Sequence, residues 1–279
     1  MKFFNTAGPV NMDDHYKIDP LTRFDLDDIL MLIAQKKYFI LHAPRQTGKT
    51  SSLLALRDYL NEKGEYYAVY MNIEAGQAGR NDVEFVVNTA ISELSRRVKD
   101  PQLSQDIYNV STLPNSGEGL SRALSLFAES SQKPVVLMID EIDALIGDSL
   151  VSILRQIRSG YDSRPESFPQ SIILCGVRDI QDYRIHRPDK EVITGGSAFN
   201  IKAKSLRIGN FSRPEVEELL LQHTAETGQK FGDGVFDYVF EQTDGQPWLV
   251  NAMAYEATWE IRANRDRGVV ITADMMEEA

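Results

Sequence analysis

Two periodicities alternate along the first 210 residues. "KKYFILH" (36–42), "YYAVYMNIE" (66–74), "PVVLMID" (134–140) and "SIILCGV" (171–177) are short apolar runs rich in β-branched and aromatic residues, the pattern of buried strands. "FNIKAKSLRIGNF" (199–211) is expected to supply a fifth. Between them lie stretches of helical spacing. "TSSLLALRDYLNEKG" (50–64) carries Leu53, Leu56 and Leu60 on one face and stops at Gly64. "DVEFVVNTAISELSRRV" (82–98), "GEGLSRALSLFAESS" (117–131) and "DSLVSILRQIRSG" (148–160) are further helices. Buried strands separated by helices predict a parallel sheet covered on both faces. The polar, glycine-containing "DIQDYRIHRPDKEVITGGSAF" (179–199) reads as a mobile loop before the last strand.

From Ser212 the pattern becomes helical throughout. "SRPEVEELLLQHTAETG" opens with Ser212, has Glu215 three residues on, and puts Pro214 in the first turn, the signature of a capping box. Two more helices are expected at about 234–242 and 247–263. This places a boundary near 209–212 and divides the chain into a lead-in (1–20), an α/β core (21–210) and a helical region (211–279). "ITADMMEEA" reads as a helix capped by Thr272 with Asp274 in its first turn. Its closeness to Ala279 raises the expectation that the natural polypeptide continues.

Composition narrows the class. With 42% hydrophobic and 25% charged residues, the chain of 279 residues is of ordinary globular character. Its net charge of −11 argues against a constitutive grip on nucleic-acid phosphates. The basic clusters "SRRVK" (95–99) and "RANRDR" (262–267) carry no interleaved aromatics and read as solvated helix faces. Cys175 is the only cysteine, so no internal disulfide forms; it reads as a small apolar core residue rather than a nucleophile. No signal peptide or long apolar run is visible, which points to the cytoplasm and away from a membrane.

The chemistry begins at "HAPRQTGKTSS" (42–52). A strand leads into a loop of the form small residue, four spacers, Gly-Lys-hydroxyl, and the loop opens a helix, as a phosphate loop requires. Gly48 lets successive N–H groups converge on phosphate oxygens at the positive end of the helix. Lys49 is expected to reach the β- and γ-phosphates and the Thr50 hydroxyl to bind magnesium. The nucleotide-binding set is thus Ala43, Pro44, Arg45, Gln46, Thr47, Gly48, Lys49, Thr50 and Ser51. Alanine at 43 needs only to be small, and Arg45 can point to solvent from the apex.

"VVLMIDEID" then puts Asp140 and Glu141 at the end of an apolar strand. The first carboxylate suits magnesium, held through its water shell, and the second suits orienting or deprotonating the attacking water. Asp143 reads as a solvated helix-start acid. Arg178, just past the next strand, can reach a γ-phosphate or pair with Asp179 or Asp182; the residues alone leave both open. Gly245 and Pro247 make a break before a helix, and Trp248 reads as core.

Together, "APRQTGKT", "LMIDEID" and "GNFSRPEVEELLLQHTAETGQKF…TDGQPWLVNAMAYEA" resemble the AAA-like, STAND-related P-loop ATPases. They are closest to a bacterial group whose members often carry a C-terminal PD-(D/E)XK nuclease-like domain. The similarity runs from about Tyr16 to about Glu278. It implies ATP binding and slow hydrolysis to ADP by an ASCE-type core with strand order 5-1-4-3-2 and helices on both faces, followed by a helical lid. It also implies a sensor role for Arg178, a place near the nucleotide for Pro247, and an adenine-side element in "YKIDPLTRFDLDDILMLI". A protein partner or further C-terminal domain is implied as the recipient of the signal, and a homo-oligomer is compatible. Arg155, Arg158 and Arg164 are candidates for an arginine finger by position only. The expected function is an ATP- and Mg2+-dependent switch. The alternatives are a non-hydrolysing nucleotide-binding scaffold and, disfavoured by Glu141 beside Asp140, a small-molecule kinase.

Overall fold

A computed structural model describes residues 1–112, 116–177, 185–186, 192–193 and 204–279. The chain forms two compact units. The larger comprises Asp25–Pro44 and Leu53–Arg207, and the other comprises Met1–Phe24, Arg45–Ser52 and Ile208–Ala279.

In the larger unit, β1 (Phe39–His42), β2 (Tyr67–Asn72), β3 (Val135–Asp140), β4 (Ser171–Gly176) and β5 (Lys204–Arg207) form one sheet. Its order is β2-β3-β4-β1-β5, every neighbouring pair parallel, which is the expected 5-1-4-3-2 arrangement of a P-loop NTPase. All six residues of β3 and of β4 are buried, so both faces of the central strands are covered. His42 pairs with Gly176, and Ile139 with Leu174, which aligns the carboxyl ends of β1, β3 and β4 along one edge. Of the expected fifth strand only Lys204–Arg207 lies among the described residues, together with Ile208–Phe211 beyond its end. The loop 179–199 lies outside them except for a short antiparallel pair, Ile185–His186 with Val192–Ile193.

The helices of this part are α1 (Leu26–Ala34), α2 (Lys49–Lys63), α3 (Val83–Arg97), α4 (Pro101–Val110), α5 (Gly119–Ser130) and α6 (Gly147–Ser159). The pattern reading missed α4, although Leu103, Ile107 and Val110 stand at helical spacing and pack against the core. Its punctuation was present in the sequence: Asp100 accepts from the Leu103 N–H at 2.7 Å, and Pro101 opens the helix. The edge of β2 is shielded by Asn61, whose amide accepts from the Ala68 N–H at 3.0 Å and donates to the Ala68 carbonyl at 2.8 Å.

The other unit contains α7 (Arg213–Thr227), α8 (Val235–Thr243), α9 (Pro247–Tyr255) and α10 (Ala273–Glu278). Ser212 donates its N–H to the Glu215 carboxylate at 2.7 Å and its side chain accepts from the Glu215 backbone N–H in return, the expected capping box. The helix expected over 247–263 stops at Tyr255 and widens into a π-turn over Glu256–Glu260. There the Thr258 hydroxyl bonds back to the Ala254 carbonyl at 2.6 Å, a local competitor of the helical ladder. The N-terminal segment is part of this unit's core: Phe4 and Tyr16 are buried with Val216, Leu219 and Leu220. Gln222 grips the Lys17 backbone at both its N–H (3.0 Å) and its carbonyl (2.7 Å).

Two imidazoles are buried in this unit. The Nδ1 of His15 accepts from the Asn11 N–H at 2.9 Å. His223 lies between the Tyr16 hydroxyl (3.2 Å) and Gln229 Oε1 (2.9 Å), and Gln229 Oε1 also accepts from Arg267. Burial, chiefly, holds both rings below the ordinary imidazole value of 6.5. The native state therefore favours the neutral rings, and the unfolded chain takes up protons more readily. Their contribution to stability is full above about pH 6.5 and declines as pH falls below it. Urea unfolding is expected to give a free energy that drops between about pH 7 and pH 5, with a shallower slope in His223→Gln.

Candidate functional site

The loop after β1 is built by two left-handed residues. Ala43 is buried, with its N–H on the Gly176 carbonyl at 3.2 Å. Pro44, Arg45 and Gln46 are exposed, and Arg45 faces solvent as expected. Gln46 has φ +62° and Gly48 φ +84°. At Gly48 an added Cβ would meet only Arg23 Nη1 at 3.8 Å, so glycine is required there by backbone conformation rather than by space. Consecutive N–H groups in such a backbone form an anion-binding concavity. Helix α2 begins directly at Lys49, whose residue is only 6% exposed, with Thr47 and Ser51 also buried and Thr50 half-buried.

The unit that includes Arg45–Ser52 and the helical region contains a cavity of about 370 Å³ beside this loop. Its wall takes Gln46, Gly48, Ser51 and Ser52 from the loop and α2, and Pro247, Trp248 and Asn251 from α9. The N-terminal segment supplies the rest, from Asn5 to Arg23. Among the described residues, the charged side chains lining it are Lys17 and Arg23 and no carboxylate lines it, although the chain carries 41 acidic residues against 30 basic. The Arg23 guanidinium lies 4.4 Å from the Phe211 ring centre and donates to the Gly209 carbonyl. Burial lowers its pKa and the nearby Glu215 carboxylate works against that shift. Pro247 is the first residue of α9 and is buried. Before it, Gln246 donates to the Arg45 and Gln46 carbonyls, both at 3.4 Å. Gly245 has φ +65°, and a Cβ there would fall 1.9 Å from the Phe211 carbonyl oxygen.

In the larger unit, Asp140 ends β3 fully buried. Its Oδ2 accepts from the Tyr70 hydroxyl at 3.0 Å and its Oδ1 from the Glu141 N–H at 2.9 Å. These two bonds fix the carboxylate at the end of the strand. Glu141 is half-buried in the left-handed conformation, φ 57° and ψ 37°, a conformation that a non-glycine residue holds only under constraint. Asp143 is not the solvated acid expected: its Oδ1 is buried without a hydrogen-bond partner among the described residues. It lies 2.8 Å from where a Cβ on Gly176 would stand. Arg178 lies outside the described residues. Arg155 and Arg158 are exposed, whereas Arg164 stacks 3.4 Å from the centre of the Tyr161 ring and donates to the Lys36 carbonyl.

A profile of the AAA domain matches residues 33–183, more than half of the chain. The chain belongs to the AAA domain family. Among solved structures, a Walker-type ATPase of Pyrococcus abyssi is 18% identical over 95% of this chain and 73% of its own, with a TM-score of 0.58. Cdc6p of Pyrobaculum aerophilum is 16% identical over 90% of this chain and 62% of its own, with a TM-score of 0.59. A RuvB mutant of Thermotoga maritima is 10% identical over 97% and 71%, with a TM-score of 0.52. At these identities the likeness is one of fold. No curated protein matches the chain.

For an AAA domain of the P-loop ATPase class, nucleotide binding is expected, typically with Mg2+. The described helices include none long and apolar enough to cross a membrane. Four features around the site escaped the sequence reading: Arg23, Tyr70, the turn at Asn5–Val10, and Trp248. Trp248 was read as core; it is half-buried, lines the cavity, and donates Nε1–H to the Thr6 carbonyl at 2.8 Å. Pairing between residues so distant in sequence leaves no local periodicity to read.

Gly245 provides the clearest test of how the cavity wall is built. Gly245→Ala combines a left-handed φ with a backbone clash and removes the fit that lets Phe211 donate its N–H to the Gly245 carbonyl at 2.8 Å. A loss of at least about 2 kcal/mol in unfolding free energy is expected by chemical denaturation, against less than about 0.5 kcal/mol for Gly268→Ala at an ordinary exposed position.

Proposed function

We propose that this chain is an ATP-binding and ATP-hydrolysing AAA-type switch that couples nucleotide state to an attached domain or partner. The observation that carries the reading is the cavity beside the phosphate loop, bordered among the described residues by cations and by no carboxylate, in a strongly acidic chain. Its volume of about 370 Å³ falls in the range of small-molecule sites, about 300–1,000 Å³. Polyphosphate is the natural occupant of the loop end, because Gln46 and Gly48 turn backbone N–H groups together at the start of α2.

In this reading Ala43 to Ser51 surround the phosphates, Lys49 supplies the cation, and Arg23 adds a second. Thr50 and Asp140 are the oxygen donors assigned to magnesium, a hard cation that neutralises phosphate charge when bound. Asp140 suits this, being buried at the end of β3 and positioned by Tyr70. Glu141 orients or deprotonates the attacking water, and Arg178 senses the γ-phosphate. The helical region acts as a lid, with Gly245-Gln246-Pro247 next to the phosphate loop through the Gln246 amide. Assignment to the STAND-related group, a further C-terminal domain and a cytoplasmic location rest on the sequence resemblance and composition. The net charge of −11 supports a chain that does not itself grip nucleic acid.

Lys49→Ala is expected to weaken ATP·Mg affinity by roughly a hundredfold, the scale of a lost hydrogen bond to a charged group. Glu141→Gln is expected to lower turnover by roughly 10²-fold or more while binding ATP as tightly as the parent. Asp140→Asn should instead weaken magnesium-dependent binding. Calorimetry with ATP and GTP, beside steady-state phosphate release, checks all three. Parental turnover in Glu141→Gln sinks the mechanism. A parent that binds ATP but releases no phosphate, alone or with partners, becomes a nucleotide-holding scaffold.

A further inference from the structure

The residues that resemble known ATPases begin near Tyr16, and the AAA domain match begins at residue 33. A part of the cavity wall therefore lies outside both. Asn5 to Val10 runs along the cavity, with Asn5, Thr6, Ala7, Gly8 and Val10 lining it. The turn is internally braced: Asn5 Oδ1 accepts from the Ala7 N–H at 3.1 Å, and Asn5 Nδ2 donates to the Gly8 carbonyl at 3.0 Å. Its tip, Ala7 to Pro9, is exposed, and Gly8 at φ +71° has open space around it.

Three hydrogen bonds seat this turn, each on a different group around the cavity. Asn5 donates its N–H to Asn251 Oδ1 at 3.1 Å, and Asn251 is itself tied back to the Pro247 carbonyl at 2.8 Å. The Thr6 carbonyl accepts from Trp248 Nε1 at 2.8 Å. Val10 donates its N–H to Ser51 Oγ at 3.0 Å, within the first turn of α2 that closes the phosphate loop. The turn thus bridges α9 and the helix whose N-terminus meets the phosphates. It contains no charged residue, so it can lie over a polyanion without repulsion.

We propose that the Asn5–Val10 turn is a strap forming one wall of the nucleotide site and setting how long nucleotide stays bound, with Trp248 as the positioning residue that holds it. The inference rests on the nucleotide reading above. The Trp248 ring fills the wall and its N–H fixes the strap, so the two contributions are separable: Trp248→Phe keeps an aromatic ring and removes only the donor.

The experiment follows radiolabelled ADP, which is not turned over, chased from parent and Trp248→Phe with unlabelled ADP·Mg, beside hydrogen exchange of residues 5–10. Trp248→Phe is expected to release ADP about five- to tenfold faster, the scale of one hydrogen bond, with an unchanged association rate. A merely structural role moves the unfolding midpoint and not the ratio of off-rate to on-rate. In the parent, amides of residues 5–10 are expected to exchange at least several-fold more slowly with ADP bound. Either parental release from Trp248→Phe or an unprotected strap in ADP-bound parent overturns the proposal while leaving the nucleotide site intact. A parent that holds no ADP overturns both readings together.

Discussion

A backbone turned left-handed at Gln46 and again at Gly48 is the constraint on which the site depends. Between His42, the last residue of β1, and Lys49, the first of α2, the chain must reverse from an extended to a helical path. Only a residue without a Cβ adopts φ +84° at no steric cost, so Gly48 makes the handover and its N–H groups face inward as a consequence. The same turn starts α2 where Lys49 can be buried and where Ser51 can accept from Val10. The phosphate binding proposed for this loop is in this sense a by-product of the tightest available route from a buried strand to a helix.

The two compact units manage their polar groups by the same means. Asp140 is buried at the end of β3 with Tyr70 and the Glu141 N–H as partners, so the charge most costly to bury is held by directed hydrogen bonds. In the other unit His15 and His223 are buried as neutral rings, with acceptor and donor roles set by Asn11, Tyr16 and Gln229. Gly245 and Phe211 meet backbone to backbone, which leaves no room for a side chain and fixes the entry of the chain into α9. Strain is concentrated in few places: Glu141, the residue to which water activation is assigned, is among the left-handed non-glycine residues.

Much of this was legible in the sequence, because it is locally encoded. Each buried strand is a continuous apolar run, each longer helix carries a 3.6-residue stripe, and Asp82, Ser212 and Thr272 announce helix starts. Parallel order follows from strands that alternate with helices, and the strand-loop-helix course through Gly48 from its residue spacing. Two helices were read wrongly. α4 went unread although Leu103, Ile107 and Val110 form a stripe and Asp100 and Pro101 mark its start, and α9 was run through the π-turn because apolar residues continue beyond Tyr255.

Tertiary structure decided what depends on distant pairs. The sequence by itself determined an α/β P-loop core, a helical region and the residue types of a nucleotide site, since propensity, periodicity and motif spacing act within about a turn or a strand. It did not determine that residues 1–24 pack into the helical unit, or that Trp248 lines a cavity instead of a core. Nor did it place Arg23 beside Gly48, or bury Oδ1 of Asp143 near Gly176. Each of these is a contact between segments tens to hundreds of residues apart, such as Trp248 with Thr6 or Gln222 with Lys17. Such contacts arise when apolar faces are brought together and the remaining donors and acceptors must find partners in that one arrangement.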